Sequence, residues 1–407
     1  MSTFSCPVVR VADVTEHPNA DRLSIIRLEG LGYTCISGKL EDGSPRYAVG
    51  DWVVYIPSAA VLPEWLLRDM EFWNAELGKG TLAGTDGNRV KPMRLRGVFS
   101  EGVLYPVEWD DELAMEGGGS VVATPDPHNS DMHNLTQVEL GEDVSELLGI
   151  TKWEPAIPAH MAGEVANMIE YMVKYDFERH ERVPLMFEPG ELVTATEKLH
   201  GTNMAITWVP ELAHEEMFGA DQNILVSSKG LGAQGLAFKN NEANANNLYV
   251  RILRDLIHRG FDQQVSTLVA KLTEDQQLEI TTPLTVRIWG EVYGAGVQDL
   301  HYGTRAPEFA VFDILIGERW LTDDELAVAC AHLGVRKAPL AYKGPFDVAA
   351  LEAVRDGATL LGGTNIREGI VVRSENLLPH DSHGRRICKM ISPDYLTRKA
   401  KNATEFQ

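Results

Sequence analysis

The sequence predicts an α+β protein in two parts, a small β-barrel followed by a larger domain built on antiparallel sheets. Three observations carry this reading. Short β-prone segments separated by glycine turns fill the N-terminal quarter of the chain. A polar, acidic stretch containing Gly117-Gly118-Gly119-Ser120 and Pro125-Asp126-Pro127 then breaks the composition. From Leu192 onward strands and helices mix without strand-helix-strand alternation, which argues against a parallel sheet. A length of 407 residues suffices for two or three domains with real cores.

Taken in order, Val8 to Val14 is β-rich and His17-Pro18-Asn19-Ala20-Asp21 is a turn. Leu23 to Leu28, Tyr33 to Ile36, Asp51 to Ile56 and Gly102 to Val107 read as further strands, punctuated by Gly38, Gly43, Gly50 and Gly97. Such spacing suits a small closed barrel. Two segments, His17 to Leu23 and Gly50-Asp51-Trp52-Val53-Val54-Tyr55-Ile56-Pro57, resemble OB-type barrels that bind tRNA or other nucleic acids. A β-module used only for packing is the plainer alternative. The barrel is expected over residues 1–110. Residues 111–185 read as a loop or insertion and a connector, the acidic stretch 108–131 being a flexible loop. A short helix is expected at Val144 to Leu148 and a polar one near Ala162 to Tyr171.

The second domain is expected over residues 186–407. Leu248, Ile252, Leu256 and Ile257 form a helical stripe within Asn247 to Arg259. Thr322-Asp323-Asp324-Glu325 fits a capping box opening a helix through His332, and Gly334 fits its stop. Val348 to Arg355 reads as another helix. Strands are expected at Ala205 to Val209, Ile224 to Ser227, Thr285 to Trp289, Phe309 to Ile314, Gly369 to Arg373 and Arg386 to Met390. The sequence contains no P-loop, no dinucleotide fingerprint and no internal repeat.

Bulk properties exclude several classes. No apolar run reaches the roughly 18 residues of a membrane span, and the N-terminus lacks a signal pattern. The four cysteines (Cys6, Cys35, Cys330, Cys388) are scattered, so a reduced cytoplasmic protein without structural zinc is expected. A formal charge of −22 argues against a protein that coats nucleic acid, but not against an enzyme with a local basic groove. Basic residues cluster at Arg179-His180-Glu181-Arg182, at Arg385, Arg386 and Lys389, and at Arg398, Lys399 and Lys401. Each cluster reads equally as solvated surface.

The chemistry centres on Glu197-Lys198-Leu199-His200-Gly201-Thr202-Asn203, a lysine beside a small-residue turn between two β-prone segments. A desolvated lysine that loses its proton can attack a phosphate. Five downstream blocks accompany it: Ser227-Ser228-Lys229-Gly230, Trp289-Gly290-Glu291-Val292-Tyr293-Gly294, Val311-Phe312-Asp313-Ile314, Arg367-Glu368-Gly369-Ile370-Val371-Val372-Arg373 and Ile387-Cys388-Lys389-Met390-Ile391. In order and content they resemble motifs I, Ia, III, IIIa, IV and V of the covalent nucleotidyltransferases, which include DNA ligases, RNA ligases and mRNA capping enzymes. The resemblance covers residues 190–396. Lys-Leu-His-Gly, in place of Lys-x-Asp-Gly, looks like the RNA ligase 2 type. With the OB-like module in front, the layout resembles the Deinococcus and Naegleria group of ATP-dependent RNA ligases.

The resemblance implies an adenylylation domain of ATP-grasp-like architecture and an enzyme that seals RNA 3′-OH and 5′-phosphate ends through lysyl-AMP and RNA-adenylate intermediates. ATP and Mg²⁺ or Mn²⁺ would be its cofactors, RNA its partner, and a monomer its working form. Lys198 would be the nucleophile, its pKa lowered by desolvation or nearby positive charge. Glu197 would accept from the adenine amino group. His200 and Asn203 would line the same pocket, with His200 serving catalysis. Lys229 would contact ribose or phosphates, and Phe312 would stack on adenine. Glu291 would hold ribose hydroxyls or metal, Glu368 the metal, and Lys389 the α-phosphate. Asp313, read onto the opposite strand face from Phe312, would anchor an active-site lysine. Many relatives carry Lys-x-Lys where this chain has Lys389-Met390-Ile391, and Arg386 or Arg373 would then supply the missing cation. A GTP-dependent capping-type enzyme and a nucleic-acid-binding protein with an inactive domain are the competing readings.

Overall fold

The computed structural model describes residues 4–110, 119–126, 129–154, 156–210, 223–274, 284–377, 379–380 and 383–398. The chain divides into two compact units, Met1–Glu154 with Glu178–Leu185, and Pro155–Phe177 with Met186–Gln407. Among the described residues no helix is long and apolar enough to cross a membrane.

In the first unit β1 (Val8–Glu16), β2 (Leu23–Leu28), β3 (Thr34–Gly38), β4 (Trp52–Ile56) and β5 (Val103–Pro106) form an antiparallel sheet in the order β5-β4-β1-β2-β3. The sheet curls until its edges meet. Glu101 N–H donates to Thr34 O at 2.9 Å and Ile36 N–H to Ser100 Oγ at 3.0 Å, so the expected barrel is nearly closed. Val11, Ile26, Leu28, Cys35, Val53 and Tyr55 pack together on one face of the sheet. On the other, Val54 and Ile56 pack with Leu62, Leu66 and Leu67. Burial on both sides explains why β4 is a continuous apolar run rather than an alternating one.

The acidic stretch expected to be a flexible loop contains strands instead. β6 (Glu108–Asp110), β7 (Gly119–Asp126) and β8 (Asn129–Gln137) form an antiparallel sheet with Val121 and Val122 buried. A register shift between Pro125 and Asp126 lets a proline stand in the middle strand. Gly117 and Gly118 lie outside the described residues. Val144 to Leu148 makes a turn, not a helix. The helix expected near Ala162 to Tyr171 is also absent. Val165–Asn167 is extended and pairs with Leu236–Phe238. Asn244 fixes that geometry, accepting from Glu164 N–H and donating to Glu164 O, both at 2.8 Å, so tertiary bonding overrides local propensity.

The second unit holds two sheets. Its main strands are β9 (Leu192–Lys198), β10 (Gly201–Trp208), β11 (Ile224–Ser228), β12 (Val286–Gly294), β13 (Pro307–Ile316), β14 (Leu340–Pro345), β15 (Gly369–Ser374) and β16 (Ile387–Ile391). One sheet runs β14-β9-β15-β16; the centre of the larger one runs β11-β10-β12-β13. These pairings are antiparallel, as the absence of strand-helix-strand alternation predicts. The helices are α1 (Lys229–Ala233), α2 (Leu248–His258), α3 (Phe261–Glu274), α4 (Asp323–His332), α5 (Val348–Arg355) and α6 (Pro393–Leu396). Leu248, Ile252, Leu253 and Leu256 of α2 share a core with Ile206, Val226 and Ile288 of the larger sheet. Asn247 caps α2 by accepting from Val250 N–H, and α4 opens with the predicted Thr322–Glu325 capping box.

The bulge in β13 corrects one expectation. Trp289 faces Asp313 and Gly290 faces Val311, leaving Phe312 as the extra residue. Phe312 and Asp313 therefore both meet Tyr175 rather than lying on opposite faces. The Phe312 ring stands 5.6 Å from the Tyr175 ring, and Tyr175 O–H donates to Asp313 Oδ2 at 2.7 Å. Asp313 is fully buried and holds Arg385 and Arg373, not an active-site lysine. Arg373 also donates to Phe312 O at 2.7 Å and to Asp323 at 3.2 Å. Arg386 pairs with Glu191. Both arginines expected to replace the missing cation are thus committed to the frame. Arg179 likewise pairs with Glu101 and Glu181. Lys399 and Lys401 lie outside the described residues.

Removing one partner from a buried ion cluster leaves the others uncompensated, at a cost of about 3–5 kcal/mol. Asp313→Ala is expected to lower the denaturant midpoint of this unit accordingly, followed through the fluorescence of Trp289 and Trp320. Asp324→Ala, whose carboxylate meets Lys343 at 2.8 Å on an exposed surface, is expected to cost less than about 1 kcal/mol. Equal midpoints for the two variants would refute a stabilising role for the cluster.

Candidate active site

Lys198 is the last residue of β9 and Gly201 the first of β10, so this turn carries the chain from one sheet to the other. The seam is tight. A Cβ at Gly201 would stand 2.1 Å from Val292 O, so only glycine allows β10 to close on β12 there. In register, Lys198 faces Gly369 of β15 and Asn203 faces Glu291 of β12. The pairings therefore bring three of the predicted blocks around one lysine.

Lys198 Nζ donates to Glu368 Oε1 at 2.6 Å. Burial favours the neutral amine, yet Glu368 and Glu291 outweigh it and hold the lysine above its usual range. The nucleophile expected to be deprotonated is thus an ammonium here, with a carboxylate as its counter-ion. Burial, with the charge of Glu368 adding to it, overcomes the pull of Lys198 and raises Glu291 to about 8. Among the described residues no three His, Cys, Asp or Glu side chains converge into a metal cage. Two carboxylates, the buried Glu368 and the half-buried Glu291, do fit Mg²⁺ or Mn²⁺, which keeps waters and phosphate oxygens as its other ligands.

Lys229 opens α1 behind the Ser228 cap, and its Nζ donates to Asp176 Oδ1 at 2.8 Å. Lys389 is buried on β16. Burial works against ionising Asp176, but Lys229 chiefly, with Lys389 beyond it, holds the carboxyl well below its usual range. Glu197 is buried; its Oε2 accepts from Leu360 N–H at 2.6 Å and Arg367 Nε stands 4.0 Å away. Burial raises it against the bonds from Thr359 and Leu360. Its Oε1 has no hydrogen-bond partner, nor has Asn203 Oδ1. Buried acceptors left in this way have a donor still to meet.

His200 differs from expectation. It is buried, with Nε2 at 2.6 Å from Asp299 Oδ1 and Nδ1 at 2.8 Å from Tyr395 O–H, so both ring nitrogens serve the frame rather than an open pocket. Phe312 is only half-buried, one edge of the Tyr175 cluster. Sequence reasoning did not place Asp176, Asp299 or Tyr395 in this site, and it read Arg398 only as part of a basic cluster. Asp299 follows the Glu291 block closely, and Ser392-Pro393 marks a helix start, but no local pattern signals which turn they meet.

A lysine at the seam of two antiparallel sheets, ringed by carboxylates and further lysines, defines a covalent nucleotidyltransferase domain. Residues 191–391 match the family model described as RNA ligase and residues 6–107 one described as an OB-fold domain, so the chain carries an RNA ligase family domain behind an OB-fold domain. The fold is similar to that of Naegleria gruberi RNA ligase with PPi, at a TM-score of 0.66 and 21% identity over 97% of this chain and 98% of that one. Two variants of that ligase, one with AMP and Mn and one with ATP and Mn, give TM-scores of 0.66 and 0.67 at 21% identity and the same coverage. No curated protein matches the chain.

Gly201→Ala is expected to displace the seam and cost about 1–3 kcal/mol. Gly230→Ala, which has nothing within 4 Å of the added methyl group, is the control. Thermal unfolding of the two should separate them; coincident curves would mean that the seam yields freely.

Proposed function

We propose that this chain is an ATP-dependent RNA ligase that joins an RNA 3′-OH to an RNA 5′-phosphate. The observation that carries this is the ammonium of Lys198 held at 2.6 Å by the buried Glu368, beside the half-buried Glu291, inside an RNA ligase family domain. The ligands of the similar Naegleria gruberi structures, ATP, AMP, PPi and Mn, are those such a reaction requires.

In the first step Lys198 Nζ attacks the α-phosphorus of ATP. The nitrogen–phosphorus bond forms, the α–β bridging bond breaks, and pyrophosphate leaves with the electron pair. Glu291 and Glu368 would hold a divalent cation, which would neutralise phosphate charge and lower the proton affinity of the lysine. As Glu368 lets go of the ammonium, Nζ loses the counter-ion that fixes its proton, which passes to solvent. Lys229 trades Asp176 for phosphate oxygens, and with Lys389 it stabilises charge that grows in the transition state. The RNA 5′-phosphate then displaces lysine from AMP, and finally the 3′-OH attacks that phosphate as AMP departs. Each displacement is in line, so positioning carries much of the rate.

Glu197 supports adenine over guanine. Its orphan oxygen can accept from an amino group, whereas guanine O6 would meet it as a second acceptor. This disfavours the capping-type alternative. The OB-fold domain supports RNA as the partner, and Lys198, Lys229 and Lys389 supply local cations in a chain whose net charge is −22. We expect a cytoplasmic enzyme that works as a monomer.

The test is incubation with α-labelled ATP and Mg²⁺ or Mn²⁺, then a denaturing gel. Wild type should retain label and Lys198→Ala none, while Glu368→Ala should slow labelling by about 10²-fold. Sealing of a nicked RNA duplex by the labelled protein completes the assignment. Absence of label from protein shown to be free of prior adenylate would overturn it in favour of a binding protein.

A further inference from the structure

The turn that follows Lys198 is gripped from two directions. Three residues of one loop beyond β12 hold it: Gln298 donates its amide to Gly201 O, Asp299 meets the His200 ring, and Tyr302 O–H accepts from His200 N–H at 2.6 Å. Tyr302 does so from a left-handed backbone, φ +52°, a conformation that a non-glycine residue keeps only where surroundings impose it. The second grip comes from α6 and from Arg398, two residues beyond its end. Tyr395 O–H reaches His200 Nδ1 at 2.8 Å, and Arg398 donates to Asp299 at 3.3 Å while its guanidinium covers the Tyr395 ring at 3.8 Å.

Asp299 as a carboxylate can only accept, so Nε2 carries a proton and donates it there, while the Tyr395 hydroxyl can serve Nδ1 as donor or acceptor. The second oxygen of Asp299 takes Arg398. Burial opposes the charge on Asp299, but the bonds from His200 and Arg398 hold its carboxyl well below the usual range. Each group is satisfied by the next, from Arg398 through Asp299 to His200, two residues from the nucleophile.

We propose that Asp299, Tyr395 and Arg398 are positioning residues that act through His200 to hold Lys198 in line for attack, so that the segment after β16 is a working part of the adenylylation site. None of the three bonds to Lys198, so their effect should fall on the rate of the chemical step and not on nucleotide binding. A displacement of about 1 Å is enough to cost about 10²-fold in rate.

The inference rests on the reading of the site as an adenylylation centre, and the experiment separates the two. Single-turnover labelling with ATP is followed across ATP concentrations for wild type, Asp299→Asn, Tyr395→Phe, Arg398→Ala and Arg398→Lys, with ATP affinity measured independently by calorimetry on the full chain and thermal unfolding recorded for each. We expect labelling by Asp299→Asn and Arg398→Ala to slow about 10- to 100-fold. Their ATP affinity should stay within about threefold, and Arg398→Lys should regain part of the rate. Tyr395→Phe removes one hydroxyl, cannot plausibly unfold the chain, and should slow labelling in the same sense. Wild-type labelling rates in every variant would overturn the inference and leave the adenylylation reading intact. So would weakened ATP binding at an unchanged limiting rate, or losses of rate that merely follow losses of unfolding temperature without rescue by lysine. A wild type that neither binds ATP nor takes label would instead overturn the reading beneath it.

Discussion

The close approach of β10 to β12 at Gly201 is the constraint on which the rest of this domain depends. A side chain there would collide with Val292 O, so the turn must be built from a residue with no Cβ. Because the strands pair tightly from their first residue, the turn is short, and Lys198 is left at the end of one sheet beside the start of the other. The carboxylates then follow from register alone. Glu291 lies opposite Asn203, and Glu368 directly precedes the partner of Lys198, Gly369. An enzyme whose chemistry is displacement at phosphorus needs placement above all. Two backbone ladders meeting at a glycine supply placement that no loop could.

Charge in the site is balanced before any ligand arrives. Lys198 is matched by Glu368, Lys229 by Asp176, and Glu291 sits close enough to the others that burial drives it towards protonation. A triphosphate brings negative charge that the lysines can take only by releasing their carboxylates, and those carboxylates then face a cation. Exchange of partners, rather than simple addition, is the physical event of binding. It also accounts for a strongly acidic protein handling phosphates, since the site needs local cations and not a positive surface.

Much of this was legible in the sequence. Even turn spacing indicated the barrel, the lack of strand-helix alternation indicated antiparallel sheets, and Thr322 with Glu325 marked a helix start to the residue. Lys198, Glu291 and Glu368 were named from the resemblance of their blocks to family motifs, and the strand pairings bring all three together. What failed did so for tertiary reasons. Asn244 holds Val165–Asn167 extended from eighty residues away, the bulge at Phe312 rotates Asp313 onto the same side, and Arg373 and Arg386 turn inward to buried acids. Each reflects contacts distant in sequence, where neither periodicity nor capping carries information.

His200, expected to line the nucleotide pocket, is bonded into the frame instead. Its position in the motif suggests contact with nucleotide, yet both ring nitrogens are bonded to protein. A buried imidazole with an acid on one side and a hydroxyl on the other is oriented and satisfied, which suits it to transmit position rather than to exchange partners. The side chains that would change partners in the proposed reaction, Lys198, Lys229 and Glu368, are those held by single ionic contacts. Those that must not move, His200 and Asp313, are held by several. The division of the site into moving and fixed parts is thus written in the number of bonds each side chain makes.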